Sequence, residues 1–327
     1  MKKILFSAAM LLGMSLSIQA QDDDMIFNHL GAGFEVGTTG IGFEFSTTCT
    51  PYVQFRAGGV FMPTFKVKDV NVGLGDDIQN EWNKAQSNAG IYNQAQDLLN
   101  KIEDPTAFTI APTVGAEQKQ LVKDIQNIKT MPNSVNMDGE ILGQSQFKFL
   151  VDVFPFKSTT FHATVGFYCG NGTTANFYTT DCKNELSMAT RYNQYLANQK
   201  YTITNNYTGA QEVIAFGDKL EGKIGDNGTV IRPNGEVMTG YCKVNSFRPY
   251  LGIGFGRAVP QKTRLAFACD LGVQFWGTPK LYISQTDDNG VAYDKEIQPE
   301  DLGSGLKTLG KLTVYPCLNF RLTGRIF

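Results

Sequence analysis

Residues 264–276 read RLAFACDLGVQFW, and the way this stretch alternates decides the fold. Leu265, Phe267, Cys269, Leu271, Val273 and Phe275 occupy one face of an extended chain, and Arg264, Ala266, Ala268, Asp270, Gly272 and Gln274 the other. Side chains of a strand point alternately to its two faces, so period-two sorting is the mark of a strand with unlike surroundings. Residues 247–256, FRPYLGIGFG, sort in the same way: Phe247, Pro249, Leu251, Ile253 and Phe255 oppose Arg248, Tyr250 and three glycines.

Working outward, six more segments obey the same grammar: 30–36, 40–45, 52–62, 146–154, 161–169 and 312–327. Across all eight segments the apolar faces collect phenylalanine (34, 43, 45, 55, 61, 147, 149, 161, 167, 247, 255, 267, 275 and 320) and no charge. The opposite faces carry Glu35, Glu44, Arg56, Lys148, Asp152, Arg248, Arg264, Asp270, Arg321 and Arg325, with His29 and His162. A soluble barrel would turn such charges to water and its phenylalanines inward. A transmembrane barrel does the reverse, because hydrocarbon surrounds it. The intervening segments support the second choice. If the strands run up and down, the long insertions 63–145, 170–246 and 277–311 emerge on one side with the short turn at 37–39, and every connection on the other side is short. Closure also removes the unpaired strand edges that hydrocarbon cannot solvate. The expected fold is therefore an all-β, eight-stranded antiparallel up-and-down transmembrane barrel with long, partly helical external loops.

The N-terminus supplies an address. Met1-Lys2-Lys3 is followed by an apolar run to Ser17, then Ile18-Gln19-Ala20 and the polar Gln21-Asp22-Asp23-Asp24. Basic, apolar and small-residue regions in that order read as a secretory signal peptide over 1–20. The remainder, 21–327, is then one barrel with the three insertions. With 29 basic against 31 acidic residues, the chain lacks the basic footprint of a nucleic-acid binder. After the leader no apolar run approaches the roughly 20 residues of a membrane-spanning helix.

The segments PYLGIGFGRAVP (249–260), LAFACDLGVQFWGTP (265–279) and LTVYPCLNFRLTGRIF (312–327) resemble the small eight-stranded outer-membrane β-barrels, OmpA-barrel and OmpX-like in plan and closest in style to those of Bacteroidota. The resemblance covers about a third of the chain, and in departure from OmpA no peptidoglycan-binding domain is expected after the last strand. It implies a place in the outer membrane of a Gram-negative bacterium, with the loops extracellular. It also implies outer-membrane lipid as surroundings, and recognition by the barrel-assembly machinery through the C-terminal strand ending at Phe327. Leu318, Phe320, Leu322 and Ile326 are out of phase with Phe327 by one residue, and a bulge near Gly324 would restore the phase.

An eight-stranded barrel is narrow enough for side chains to fill. Glu35, Glu44, Arg56, Lys148, Asp152, His162, Arg248, Arg264, Asp270, Arg321 and Arg325 are therefore expected to form a paired network that closes the lumen, because unpaired buried charge is expensive. Catalysis leaves no signature: two histidines accompany no nucleophile at a telling spacing, so no catalytic residue and no cofactor is expected. Two histidines with scattered carboxylates also fall short of a metal site. Of six cysteines, Cys269 and Cys317 point to opposite faces, Cys49 sits in a turn, and Cys182–Cys242 is the expected disulfide, against a reading of small buried thiols.

The insertions hold most of the open chemistry. Ile78, Trp82, Ala85, Ala89, Tyr92, Ala95, Leu99 and Ile102 repeat at helical spacing and predict one helix to Glu103, before Pro105. A second helix over 117–129 would pack against it, a third is expected near 184–199, and 65–74 and 134–143 would extend two strands beyond the membrane. Asn234-Gly235 and Asn289-Gly290 read as hairpin turns. Tyr192, Tyr195, Tyr201 and Tyr207 offer a contact surface for an extracellular protein or glycan, with core packing as the alternative. The leading expectation is a non-enzymatic outer-membrane barrel with a closed or nearly closed lumen, displaying a folded cap for envelope structure, adhesion or partner binding. The alternative is a narrow pore or uptake accessory with the cap as a lid, and the third reading is an outer-membrane barrel enzyme.

Overall fold

In a computed structural model of the chain, the residues described are 27, 29–84, 90–224, 229–261, 263–287, 291–297 and 313–326. The expected signal peptide, Ala85 and Ala89 of the helical stripe, Asn289-Gly290 and Phe327 lie outside them. In chain order the first strands are β1 (Leu30–Gly37), β2 (Gly40–Thr50), β3 (Val53–Met62) and β4 (Phe65–Gly73). Then come helices α1 (Asp77–Asn83) and α2 (Ile91–Glu103), strand β5 (Phe108–Ala111), helix α3 (Ala116–Ile125) and strands β6 (Ser134–Ile141), β7 (Gln144–Val153), β8 (Phe161–Gly170) and β9 (Thr173–Thr179). After α4 (Lys183–Tyr195) follow β10 (Lys200–Asn205), β11 (Gln211–Ala215), β12 (Gly222–Ile224), β13 (Thr229–Ile231) and β14 (Thr239–Lys243). The chain continues through β15 (Phe247–Phe255), β16 (Leu265–Phe275), β17 (Lys280–Thr286), β18 (Ala292–Ile297) and β19 (Val314–Arg325).

Eight strands close a barrel in the order β1-β19-β16-β15-β8-β7-β3-β2, every neighbouring pair antiparallel. All eight predicted segments are barrel strands, with β2 running on to Thr50 instead of stopping at Phe45. Along β15 exposed and buried residues alternate without a break. The phenylalanines lie outside (Phe43 is 61% and Phe267 65% exposed) while Arg56, Lys148, Arg248 and Arg321 are at 0–1%. This is the inside-out distribution read from the alternation, and the outer face is suited to hydrocarbon. The bulge near Gly324 is absent: β19 pairs Gly324 with Ala32 and with Leu265 in ladders that keep one register.

At one end the barrel strands are joined by short connections around 51–52, 154–160 and 256–264; at the other rises a cap. There β4, β6, β9, β14 and β17 repeat the order of β3, β7, β8, β15 and β16, so five neighbouring barrel strands resume beyond a short break as a second sheet, edged by β18. The sequence indicated two of these extensions. One side of this sheet, through Ile283 and Ile297, packs on Leu186, Ile231 and Met238. The larger apolar core joins Trp82, Leu98, Leu121, Val122, Ile125, Tyr192, Leu196, Tyr201 and Ile203 from the helices and the small β11-β10-β5 sheet. Each large apolar side chain so buried contributes about 1.5–3 kcal/mol. The predicted 78–103 helix is two helices, with α2 starting afresh after Gly90, a poor helix former. α3 is capped by Gln118, whose Oε1 accepts the Gly115 N–H at 2.8 Å. The turn expected at Asn234-Gly235 joins no hairpin, since β13 pairs with β12, and β14 with β9 and β17. The strands on either side of the other expected turn, β17 and β18, do pair as a hairpin.

Candidate functional site: the barrel lumen

Eight inward-facing side chains from seven strands meet in the middle of the barrel. Lys148 on β7 places its Nζ 2.5 Å from Glu35 Oε2 on β1 and 2.6 Å from Glu44 Oε2 on β2. Glu44 Oε1 accepts from Arg321 Nη1 at 2.8 Å, and Arg321 also grips Asp270 through Nε at 2.7 Å. Arg56 reaches Asp152 at 2.7 Å, Asp270 at 3.0 Å and Glu44 at 3.6 Å. His162 sets Nε2 2.9 Å from Asp270 Oδ1 and Nδ1 3.2 Å from the Thr160 carbonyl. Both of those oxygens accept, so both contacts are hydrogen bonds when the ring carries two protons. Three basic side chains and His162 thus face four carboxylates. Thr164 adds a hydroxyl bond to Asp152 at 2.7 Å.

The neighbouring strands make this convergence possible by going without side chains. A Cβ on Gly254 would collide with Asp270 Oδ1 and His162 Nε2, so the glycine is what lets those two meet. Burying eight ionisable groups carries a large desolvation cost, which only a connected network offsets.

Two further layers lie on either side. Toward the cap, Val60, Leu150, Tyr168, Tyr250 and Cys317 form an apolar cluster, with Tyr168 and Tyr250 edge to face at 5.5 Å. Beyond it Arg248 donates to the carbonyls of Asn245 and Asn171 and to Gln144 Oε1, and lies 5.2 Å from the Trp276 ring. At the short-turn end the β15–β16 connection folds back into the lumen. Gly256 takes φ +107°, which a side chain would resist, and the chain then buries Ala258 and Val259 completely. Gln54 holds this plug by its whole amide: Oε1 accepts from the Ala258 and Val259 N–H groups at 3.0 and 3.3 Å, and Nε2 donates to the Val259 carbonyl at 3.2 Å. Ser46 and Thr323 donate to the carbonyls of Ala258 and Arg257. Arg257 itself caps three turn carbonyls (Pro51, Lys157 and Thr159) and stacks 4.0 Å over Phe154.

Of the lumen residues read from sequence, Glu35, Glu44, Arg56, Lys148, Asp152, His162, Asp270 and Arg321 come together. Arg248 is inside but bonded to carbonyls and an amide instead of an acid. Arg264 and Arg325 are not in the network: Arg264 is exposed and Arg325 half-buried at the short-turn rim. They have the right parity, but strand ends open onto solvent, where no partner is required. Sequence reasoning missed the plug, whose signal was an apolar Ala258-Val259-Pro260 run in an otherwise polar turn.

The cap corrects two more expectations. Cys182 and Cys242 are free thiols, as are the other four cysteines. Cys242 sits in β14 between β9 and β17, and Cys182 precedes α4. Tyr192 and Tyr201 are wholly buried core residues and Tyr195 packs against them, which leaves Tyr207 as the exposed member of the four. Burial, with Glu81 and Asp218 nearby, pushes the Tyr192 phenol up. Among the described residues, no group of three or more His, Cys, Asp or Glu side chains is placed to hold a metal ion.

No protein-family model matches the chain, and no curated protein resembles it in sequence. Among solved structures it is similar to Acinetobacter baumannii CarO2, at 13% identity over 92% of this chain and 100% of that one, with a TM-score of 0.37. CarO from the same organism follows at 11% identity, 93% and 99% coverage and a TM-score of 0.36. A major outer membrane protein of Thermus thermophilus matches at 10% identity, 91% and 99% coverage and a TM-score of 0.32. The eight-stranded architecture rests on the pairing of the chain's own strands.

Proposed function

We propose that this chain is an integral outer-membrane barrel whose lumen is closed, and that its working part is the folded cap displayed outside the cell. The observation that carries the reading is the lumen itself, filled in series by the turn plug, the eight-residue ion cluster and the tyrosine layer. Solute passage would require the cluster to come apart in low dielectric, so a narrow pore gains no support. Catalysis gains none either, because His162 is wholly buried between Asp270 and Thr160. Support for the membrane comes from the belt of exposed phenylalanines around a closed barrel without edges. Support for an outward cap comes from topology, since long loops of such barrels are external and periplasmic turns short.

Protease shaving of intact cells, with fragments weighed by mass spectrometry, tests placement and orientation together. Protected pieces spanning 144–170 and 247–275, with cuts confined to cap segments, are expected. Cuts at the short-turn end, or cleavage only after lysis, would overturn the orientation.

A further inference from the structure

The apolar outer wall of the barrel does not stop where the barrel does. β3 and β7 pair as far as Met62 opposite Gln144, and three residues further along each chain Phe65 of β4 stands opposite Ile141 of β6. Nothing is inserted on either side of the break, so alternation carries across it. The neighbouring ladder agrees: Gln146 opposite Gly170 in the barrel and Ile141 opposite Ala175 in the cap keep one register. Between them the Leu142 N–H donates to the Thr174 carbonyl at 2.9 Å. Gln144 faces the lumen at 4% exposure and Phe61 faces out at 55%. Phe65, Val67 and Ile141 therefore share the outer side with Phe61. Farther up, Val67 pairs with Gly139 and Val70 with Met137, so Lys68 and Asp69 stand in place of one residue, and Asp69 takes φ +56°. This bulge keeps Val70 and Val72 on the side of Phe65 and Val67. There the helices take over, with Val135 and Met137 buried in the larger cap core and Val72 packed against it. Below that cover Phe65, Val67 and Ile141 stay 52%, 44% and 42% exposed.

We infer that this strip is a membrane foot of the cap, seated where the acyl chains of the outer leaflet meet its headgroups. Continuity with the lipid-facing wall selects lipid as the occupant. Pro63, Gly143 and Ser145, which lie between Phe61 and the strip on that side, carry no charge. The charges of the same strands, Lys66 and Glu140, pair with each other at 3.2 Å on the opposite side. Height agrees with this placement. Phe55 to Val67 rises about 30 Å at ~3.3 Å per residue and ~40° of strand tilt, against about 25 Å for Leu265 to Phe275 on β16. The shorter figure matches the apolar band of such barrels, and Phe65 then stands at the level of their aromatic girdle. One flank of the wall is thus taller than the other. A rigid barrel meets such a mismatch by leaning toward its taller flank or by drawing lipid up along it. Either way the lipid rises past the end of β3 and β7 and holds the base of the cap against the membrane.

The inference rests on the reading of the barrel as membrane-embedded with its cap outside, and the experiment separates the two. Full-length protein carrying one added tryptophan is refolded into phosphatidylcholine vesicles, with and without lipid brominated near the headgroup end of its acyl chains. Folding is checked by the heat-dependent gel shift. Of the native tryptophans, Trp82 lies in the cap core and Trp276 against Arg248 and Tyr315 in the lumen mouth, so the parent protein supplies the baseline. Phe61→Trp, on the barrel wall, should lose its added emission to the brominated lipid. Val67→Trp and Ile141→Trp should lose a comparable share, and Lys66→Trp, one residue away on the opposite side, should keep its emission. Quenching at 61 but not at 67 and 141 would overturn the membrane foot alone, and no quenching at 61 would overturn the membrane placement beneath it as well. Equal quenching of Lys66→Trp would overturn the foot too. So would shielding of Val67→Trp from aqueous iodide without bromine quenching, the mark of a second copy or another protein covering the strip.

Discussion

Lys148 and Glu35 offer the sharpest test of the lumen network. Glu35 Oε2 has Lys148 at 2.5 Å as its ion-pair partner, and both side chains are at 0–1% exposure. Glu44 shares Lys148 but keeps Arg321 at 2.8 Å. Replacing Lys148 by Met, similar in length and uncharged, strands Glu35 without a counter-charge in a water-poor interior. Breaking a buried pair from one side costs about 3–5 kcal/mol. Removing Glu35 as well, in Lys148→Met/Glu35→Leu, leaves Glu44 with its arginine and fills the space with apolar atoms. Whole-pair replacement of this kind is often neutral, so the double variant should recover most of the loss, to within about 1 kcal/mol of the parent. The assay is reversible guanidinium unfolding of the protein in lipid vesicles, followed by tryptophan fluorescence and by the heat-dependent gel shift of a folded barrel. A single variant as stable as the parent, or a double variant no better than the single, would refute the claim that charge pairing organises the lumen.

Other consequences are as direct. Gln54→Ala removes all three amide bonds to the plug and should cost about 1–3 kcal/mol by the same unfolding assay, because two buried N–H groups lose their acceptor. Trp82→Ala excavates the cap core and should destabilise it by about 3–5 kcal/mol, seen as faster proteolysis of the cap while the heat-shifted barrel band persists. Alkylation under denaturing, non-reducing conditions should label all six cysteines. In the folded protein, burial together with Asp181 and Glu185 pushes the Cys182 thiol up to about 11. Only the thiolate reacts, so labelling of Cys182 should be slow at neutral pH and quicken about tenfold per pH unit until near that value.

The barrel was legible because its two surroundings impose opposite chemistry on a period of two. Phe267 and Asp270, three residues apart, must face different media, and no soluble arrangement sorts every segment so. Pairing partners inside the lumen were not legible, because they depend on stagger between strands distant in sequence: Arg56 meets residues of β2, β7 and β16 that alternation alone places only on the same side. Arg264 and Arg325 show the limit of parity, which gives a direction but no depth. In the cap the helical stripes were visible because Tyr92, Ala95, Leu99 and Ile102 recur at three and four residues along one helix, as Leu121, Val122 and Ile125 do along the next. The fate of Tyr192 and Tyr201 was not, since a tyrosine serves a core or a surface equally well until the elements around it are placed. The plug escaped because turns are assumed to face solvent. Its burial depends on Gln54, contributed from the other side of the barrel.

The most direct test of the closed lumen is current through a planar bilayer. Refolded full-length protein, shown to be inserted and folded by its heat-dependent gel shift, should leave the bilayer silent under applied voltage of either sign. Discrete, reproducible conductance steps from that same material would mean that the plug, the ion cluster and the tyrosine layer leave a continuous path, and would contradict the account.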